Sequence, residues 1–127
     1  MSDFADSNIF IYAFTKCRYS DECKKIVQKD LLINTNVLLE IFNGLHKITN
    51  DKEYSIRVVK RILSNDNIRI IDFDINLFFE TLKRIENINL RMPDAVHYTT
   101  ALLHGCKIIY SYDKHFDGLS LKRVEVA

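Results

Sequence analysis

Little in this 127-residue chain interrupts regular structure: it holds one proline, three glycines, and no run enriched in either or in serine. That scarcity excludes a flexible linker and a low-complexity segment, and no repeat recurs at a fixed period. Cysteine is sparse and odd in number. Cys17, Cys23 and Cys106 are widely spaced, which argues against a disulfide framework, and no CxxC pattern suggests structural zinc. Charge of one sign is lacking too. Lys and Arg total 18 against 17 Asp and Glu, a net charge of +1, so the whole chain does not announce a nucleic-acid binder, although a neutral total can hide opposed patches. No apolar run approaches the length of a membrane span. The opening MSDFADSN has neither the basic nor the apolar region of a secretory signal, so the expected setting is cytoplasmic, away from membranes.

What the chain does have is 47% hydrophobic residues, enough for one domain over residues 1–127 with a real core. A short strand is expected over Phe4 to Asp6, then a brief helix in SNIFIYAF, and a helix opened by Ser20-Asp21 and running to Lys29. LLIN at 31–34 reads as a buried strand. Helices over 36–50 and 53–65 form one long crossover, the second presenting Ile56, Val59, Ile62 and Leu63 on one face. IRIID at 68–72 is a β-branched strand, and INLFFETLKRI is a surface helix striped by Ile75, Phe78, Phe79, Leu82 and Ile85. Pro93 at the first helical position and Gly105 just past the end bracket another helix. KIIYS and KRVEV supply the last strands. Strands too apolar to alternate, separated by helices, predict an α/β fold: a parallel sheet of about five strands with helices on both faces, in three layers. Ligands of such sheets bind beyond the carboxyl ends of the strands.

The stretch NVLLEIFNGL raises the question of chemistry, because Glu40 stands among Val37, Leu38, Leu39, Ile41 and Phe42. An unpaired buried charge costs several kcal/mol, so such a carboxylate is turned to water, protonated or held by a cation. Three aspartates map to the same rim: Asp6 closes the first strand, Asp94 opens a helix, and Asp113 follows KIIYS by two residues. Each has an ordinary reading alone. Asp6 serves as a helix cap, Asp94 as a helix-dipole partner, Asp113 as a turn residue and Glu40 as a solvated side chain. Gathered together, four like charges require something positive among them, and an oxygen-only set suits Mg²⁺ or Mn²⁺ better than zinc. His97, one turn from Asp94, is expected only as an outer partner.

FADSNIFIYA resembles the opening of PIN-domain nucleases, with an acid after strand one followed by Ser and Asn. INTNVLLEIFNGL looks like their helix with one acidic residue, and MPDAVHYTTALLHGCKIIYSYDKHF is similar to their D-A helix and T-x-D-x-x-F ending. In length the chain looks most like the VapC-type toxins of toxin–antitoxin pairs. The resemblance implies a Mg²⁺- or Mn²⁺-dependent ribonuclease, usually a homodimer, inhibited by a small antitoxin and leaving 3′-hydroxyl and 5′-phosphate ends. It carries over Asp6, Glu40, Asp94 and Asp113 as the acidic set. Ser7 or Asn8 would orient Asp6, and Ser111 stands where the family commonly has Thr. Asp6 and Asp94 are expected as principal metal ligands, with Glu40 and Asp113 completing a second site or acting through water. Three features depart from the pattern: a short first strand, Ser111, which keeps the hydroxyl of Thr but loses its methyl, and Asp117 as an extra acid that reads as a loop charge.

Candidate RNA contacts are Lys16, Arg18, Lys24, Lys25, Lys83, Arg84 and Arg91, with Tyr12, Tyr98 and Tyr112 available for stacking on bases. The 53–65 helix and IFIYAF are candidate partner surfaces. The alternatives are a catalytically silent PIN-fold RNA-binding or scaffolding module, a PIN nuclease of RNA maturation, and a receiver-type phosphoacceptor domain. The last lacks its paired acids after strand one and its lysine after the penultimate strand.

Overall fold

A computed structural model describes residues 2–125. Its centre is a five-stranded sheet in the order β3-β2-β1-β4-β5, with every neighbouring pair parallel. The strands are β1 (Asp3–Ala5), β2 (Leu31–Asn34), β3 (Ile68–Ile71), β4 (Ile108–Tyr110) and β5 (Lys122–Val124). Phe4 of β1 sits opposite Leu32 on one side and Ile109 on the other, so a strand of three residues is the central one. All three of these side chains are buried, as continuous apolar runs in a sheet covered on both faces should be.

Six helices, α1 (Ser7–Ala13), α2 (Ser20–Ile26), α3 (Thr35–Thr49), α4 (Lys52–Leu63), α5 (Ile75–Ile85) and α6 (Met92–Leu103), make the crossovers. From β1 to β3 the chain steps outward in one direction; from β3 it returns across the sheet to β4 and steps the other way. Right-handed crossovers place α1 to α4 on one face and α5 with α6 on the other. The packing agrees: α1 lies on α2 and α3, and α5 lies on α6. Gly44 of α3 lies where α1 comes close, and a Cβ there would collide with Ile11 Cδ1.

Helix ends follow the sequence signals closely. Asn34, Asp51 and Asp74 cap α3, α4 and α5 by accepting the amides of Val37, Tyr54 and Leu77. Pro93 occupies the second position of α6, one later than expected, behind Met92. At the other end Gly105 has φ +73°, and the amides of Gly105 and Cys106 return to Leu102 and Ala101, the paired bonds of a Schellman stop.

Several boundaries fall short of the sequence expectation. The first strand ends at Ala5, α2 stops at Ile26 instead of Lys29, and the last strand stops at Val124; Val126 lies outside the described residues. Two helical faces differ more. In α4 the buried residues are Ser55, Val58 and Ile62, while Ile56 and Leu63 are exposed. Ser55 is accepted inside because its hydroxyl donates to Asp51 O at 2.9 Å, a local bond that apolar spacing does not register. In α5 the buried pair is Leu77 and Thr81, and the stripe of Ile75, Phe78, Phe79 and Leu82 faces solvent, Phe79 at 59% exposure. IFIYAF, expected as a partner surface, is largely core: Ile9, Phe10, Ile11 and Ala13 are all buried.

Candidate active site

The strand order reverses between β1 and β4, and both strands end beneath the same rim. Asp6 stands there, immediately after β1, as the cap of α1. One carboxylate oxygen accepts the backbone amide of Ser7 at 2.8 Å, and the other accepts the Ser111 hydroxyl at 2.9 Å from just beyond β4. Ser111 Oγ in turn accepts the Asp113 amide at 3.0 Å. The ends of β1 and β4 are thus tied through a single hydroxyl, which a serine provides as well as a threonine. Asp6 is oriented by the Ser7 backbone; among the described residues no hydrogen bond joins it to Asn8.

Glu40 turns toward this rim from α3, one of its oxygens 2.8 Å from His97 Nε2. Ligand atoms of Asp6, Glu40 and His97 lie within 4.8 Å of one another, and those of Asp94, Asp113 and His115 form a second group of the same kind. Leu39, beside Glu40, faces solvent instead of the sheet. Asp94 lies in the first turn of α6, and Asp113 caps the short helical turn Lys114–Phe116 by accepting the His115 amide. Asp117 is elsewhere: it pairs with Arg123 at 2.7 Å.

Electrostatics mark the cluster as unsatisfied. Burial raises the Asp6 carboxyl above its usual range, against the opposing pull of His97, Ser111 and Ser7. Asp94 is pushed up to about 6, first by burial and then by the charges of Asp113 and Asp6. Burial works against charging His97, yet its bond to Glu40 and the field of Glu40, Asp6 and Asp94 carry its pKa above the ordinary value. Among the described residues no lysine or arginine pairs with any of the four acids. Four carboxylates with no lysine or arginine paired to them among the described residues, two of them held by fixed donors, form a donor set that a hard divalent ion fits.

His97, expected as an outer partner, is fully buried and touches Glu40 directly. The sequence reading missed two other neighbours: Asn34 lies behind His97, and His115 stands 3.0 Å from Asp113. His115 was detectable two residues beyond Asp113; Asn34 carried only the signal of a helix cap.

Of the expected RNA contacts, Lys25 pairs with Glu22, and Lys83 and Arg84 both pair with Glu80. Tyr98 is buried, with its hydroxyl bonded to Ser120, and so is not available for stacking. Tyr12 and Tyr112 are half-buried and pack with Tyr19 in a cluster of rings, with Arg18 over Tyr19. A separate cleft of about 810 Å³ runs between α1, α2, α3 and α4, lined by Phe10, Phe14, Val27 and Ile48 among others, with Lys16, Lys24 and Arg61 on its walls and no acidic residue.

The fold has known counterparts. The structure of Mycobacterium tuberculosis VapC20, a sarcin–ricin loop cleaving toxin, aligns with a TM-score of 0.78 at 12% identity, over 94% of this chain and 98% of that one. A toxin–antitoxin complex from Klebsiella pneumoniae aligns at 0.72 and 19% identity, over 93% and 92% of the two chains. VapBC2 from Rickettsia felis, bound to a DNA fragment from its promoter, also aligns at 0.72 and 19% identity, over the whole of both chains. The comparison with curated proteins brings no match. The PIN domain model matches residues 4–121, from the middle of β1 to the threshold of β5, and this chain belongs to the PIN domain family.

Proposed function

We propose that this protein is a divalent-metal-dependent endoribonuclease of the cytoplasm, the toxin of a toxin–antitoxin pair, built as one domain. The observation that carries the reading is the convergence of Asp6, Glu40, Asp94 and Asp113 on one rim with, among the described residues, no lysine or arginine paired to them. The VapC fold of the structural neighbours, one of them named as a cleaving toxin, supports it. Mg²⁺ or Mn²⁺ suits the oxygen donors, with Asp6 and Asp94 as principal ligands and Glu40 and Asp113 completing the set. When bound, such an ion neutralises charge on the scissile phosphate and promotes attack by water.

The chain's own contributions are positional and electrostatic. Ser7 and Ser111 hold Asp6 so that its remaining lone pairs face the rim. Asp94, raised to about 6, is largely ionised at neutral pH and ready to bind a cation. Half-exposed Tyr12 and Tyr112 offer rings to unpaired bases. Attack by water instead of the 2′-hydroxyl leaves 3′-hydroxyl and 5′-phosphate ends.

Two surfaces suit partners. The cleft between α1 and α4, apolar with basic walls, matches an acidic amphipathic segment of an antitoxin. The exposed stripe of α5, running from Ile75 to Leu82, suits a second copy of this chain related by a two-fold axis. Phe79→Ser should dissociate that dimer in sedimentation without unfolding the monomer; an unchanged oligomer would remove α5 from the interface.

The test of the activity is incubation of the purified protein with structured and single-stranded RNAs plus Mg²⁺ or Mn²⁺, against EDTA and Asp94→Asn controls. Cleavage that needs both metal and Asp94 is the expected result. Metal binding with no cleavage of any RNA would instead favour a silent RNA-binding module.

A further inference from the structure

Asn34 has its amide orientation fixed by the helix it caps. Its Oδ1 accepts the Val37 amide at 2.9 Å; reversed, an NH₂ would meet an N–H there. The NH₂ group therefore points at α6, 3.0 Å from Thr100 Oγ1 and 3.1 Å from His97 Nδ1. Thr100 agrees with this direction, because its own hydroxyl proton goes to Val96 O at 2.7 Å and leaves Oγ1 as an acceptor. His97 Nδ1, facing a donor, must present a lone pair, so the ring proton resides on Nε2 and is donated to Glu40 at 2.8 Å. A second proton placed on Nδ1 by the surrounding acids would meet the Asn34 NH₂ head on.

We propose that Asn34 and His97 are positioning residues of the acidic site. Asn34 locks His97 as the Nε2–H tautomer, which holds one Glu40 oxygen and keeps the imidazole from becoming a metal ligand. The inference rests on the metal-site reading given above and adds a selectivity to it. His97 Nε2 lies close enough to Asp6 and Glu40 to join a coordination sphere. With a free lone pair there, the site would become a mixed nitrogen–oxygen set that favours Zn²⁺. The Nε2 proton keeps it all-oxygen and suited to Mg²⁺ or Mn²⁺. Because His97 is fully buried, its ring cannot turn outward to escape the constraint.

The direct test is long-range ¹H–¹⁵N correlation of the imidazole nitrogens in the metal-free protein at pH 7, with His97 identified by the resonance lost in His97→Gln. The expected pattern is a protonated Nε2 and an unprotonated Nδ1. A protonated Nδ1 overturns the inference. Asn34→Asp keeps an oxygen for the Val37 amide and places an acceptor against Nδ1, so that Nδ1 can carry a proton and a metal can displace the one on Nε2. In competition titrations its preference for Zn²⁺ over Mn²⁺ should rise 10- to 100-fold, the usual scale of such outer contacts. An unchanged preference in a folded Asn34→Asp protein would sink the proposal.

Should that variant fail to fold, His97→Gln and His97→Leu decide. Glutamine, which can donate to Glu40, should keep Mn²⁺ affinity within about threefold, and leucine should lose about tenfold. Equal losses would overturn the positioning role. Absence of Mn²⁺ binding by the wild type would instead overturn the metal reading and the selectivity built on it, an outcome separate from the wrong tautomer.

Discussion

The two halves of the acidic rim are built differently. Asp6 and Glu40 are wired: Asp6 receives a backbone amide and a hydroxyl from opposite sides of the switch point, and Glu40 receives an imidazole fixed from behind by Asn34. Asp94 and Asp113 are loose. Among the described residues no hydrogen bond reaches the Asp94 carboxylate, which instead faces the charges of Asp113 and Asp6, and Asp113 takes one backbone amide, from His115, whose side chain is 67% exposed. One half is preorganised by the fold, whereas the other collects like charge that the fold itself leaves uncompensated. Sites that bind cations combine these roles, since fixed donors define geometry and frustrated charge supplies affinity.

The largest effect should not distinguish the halves. Asp6→Asn and Asp94→Asn are each expected to lower metal-dependent RNA cleavage by at least about 100-fold, because several kcal/mol of charge stabilisation at the phosphate depends on the set. Stability should separate them. In EDTA, Asp6→Ala loses a helix cap and strands the Ser111 hydroxyl, a cost of about 1–3 kcal/mol that the release of its own buried charge only partly offsets. Asp94→Ala removes a half-exposed carboxylate whose pKa is pushed from 3.8 to about 6, and, with solvent screening allowed for, should stabilise the metal-free protein at pH 7 by about 1 kcal/mol. Urea unfolding of both variants checks the opposite signs; destabilisation of similar size would erase the comparison.

The pH dependence sharpens the same point. Asp94 binds its proton more tightly folded than unfolded, so its contribution to stability is present at low pH and is lost as pH rises from about 4 through about 6. Unfolding of wild type and Asp94→Asn in EDTA across this range isolates that loss, which Mn²⁺ should reverse in the wild type alone. The smallest effect belongs to His115→Ala, an exposed member of the loose half, with stability expected within about 0.5 kcal/mol of wild type.

Much of this was legible in the sequence because it depends on local patterns. LLIN announces a buried strand, Pro93 and Gly105 bracket α6, and acids one to three residues past strand ends must fall on the carboxyl rim of a parallel sheet. What failed depends on neighbours that lie far away in sequence. Apolar spacing alone picks the wrong face of α4, because Ser55 satisfies its hydroxyl within its own helix and packs inward. The stripe of α5 has the periodicity of a core helix, yet the sheet is covered by α6 and needs only Leu77 and Thr81 from it. The contact of His97 with Glu40 joins residues 57 apart, and its direction is set by a cap on a third element. No spacing rule contains that information.

The most direct test of the account is a single Mn²⁺ titration followed two ways on the same sample, by electron paramagnetic resonance for bound metal and by RNA cleavage for activity. Coincident midpoints in the wild type, with both signals lost together in Asp94→Asn, are the predicted result. Cleavage that persists without bound metal, or metal that saturates the site while RNA stays intact, would contradict it.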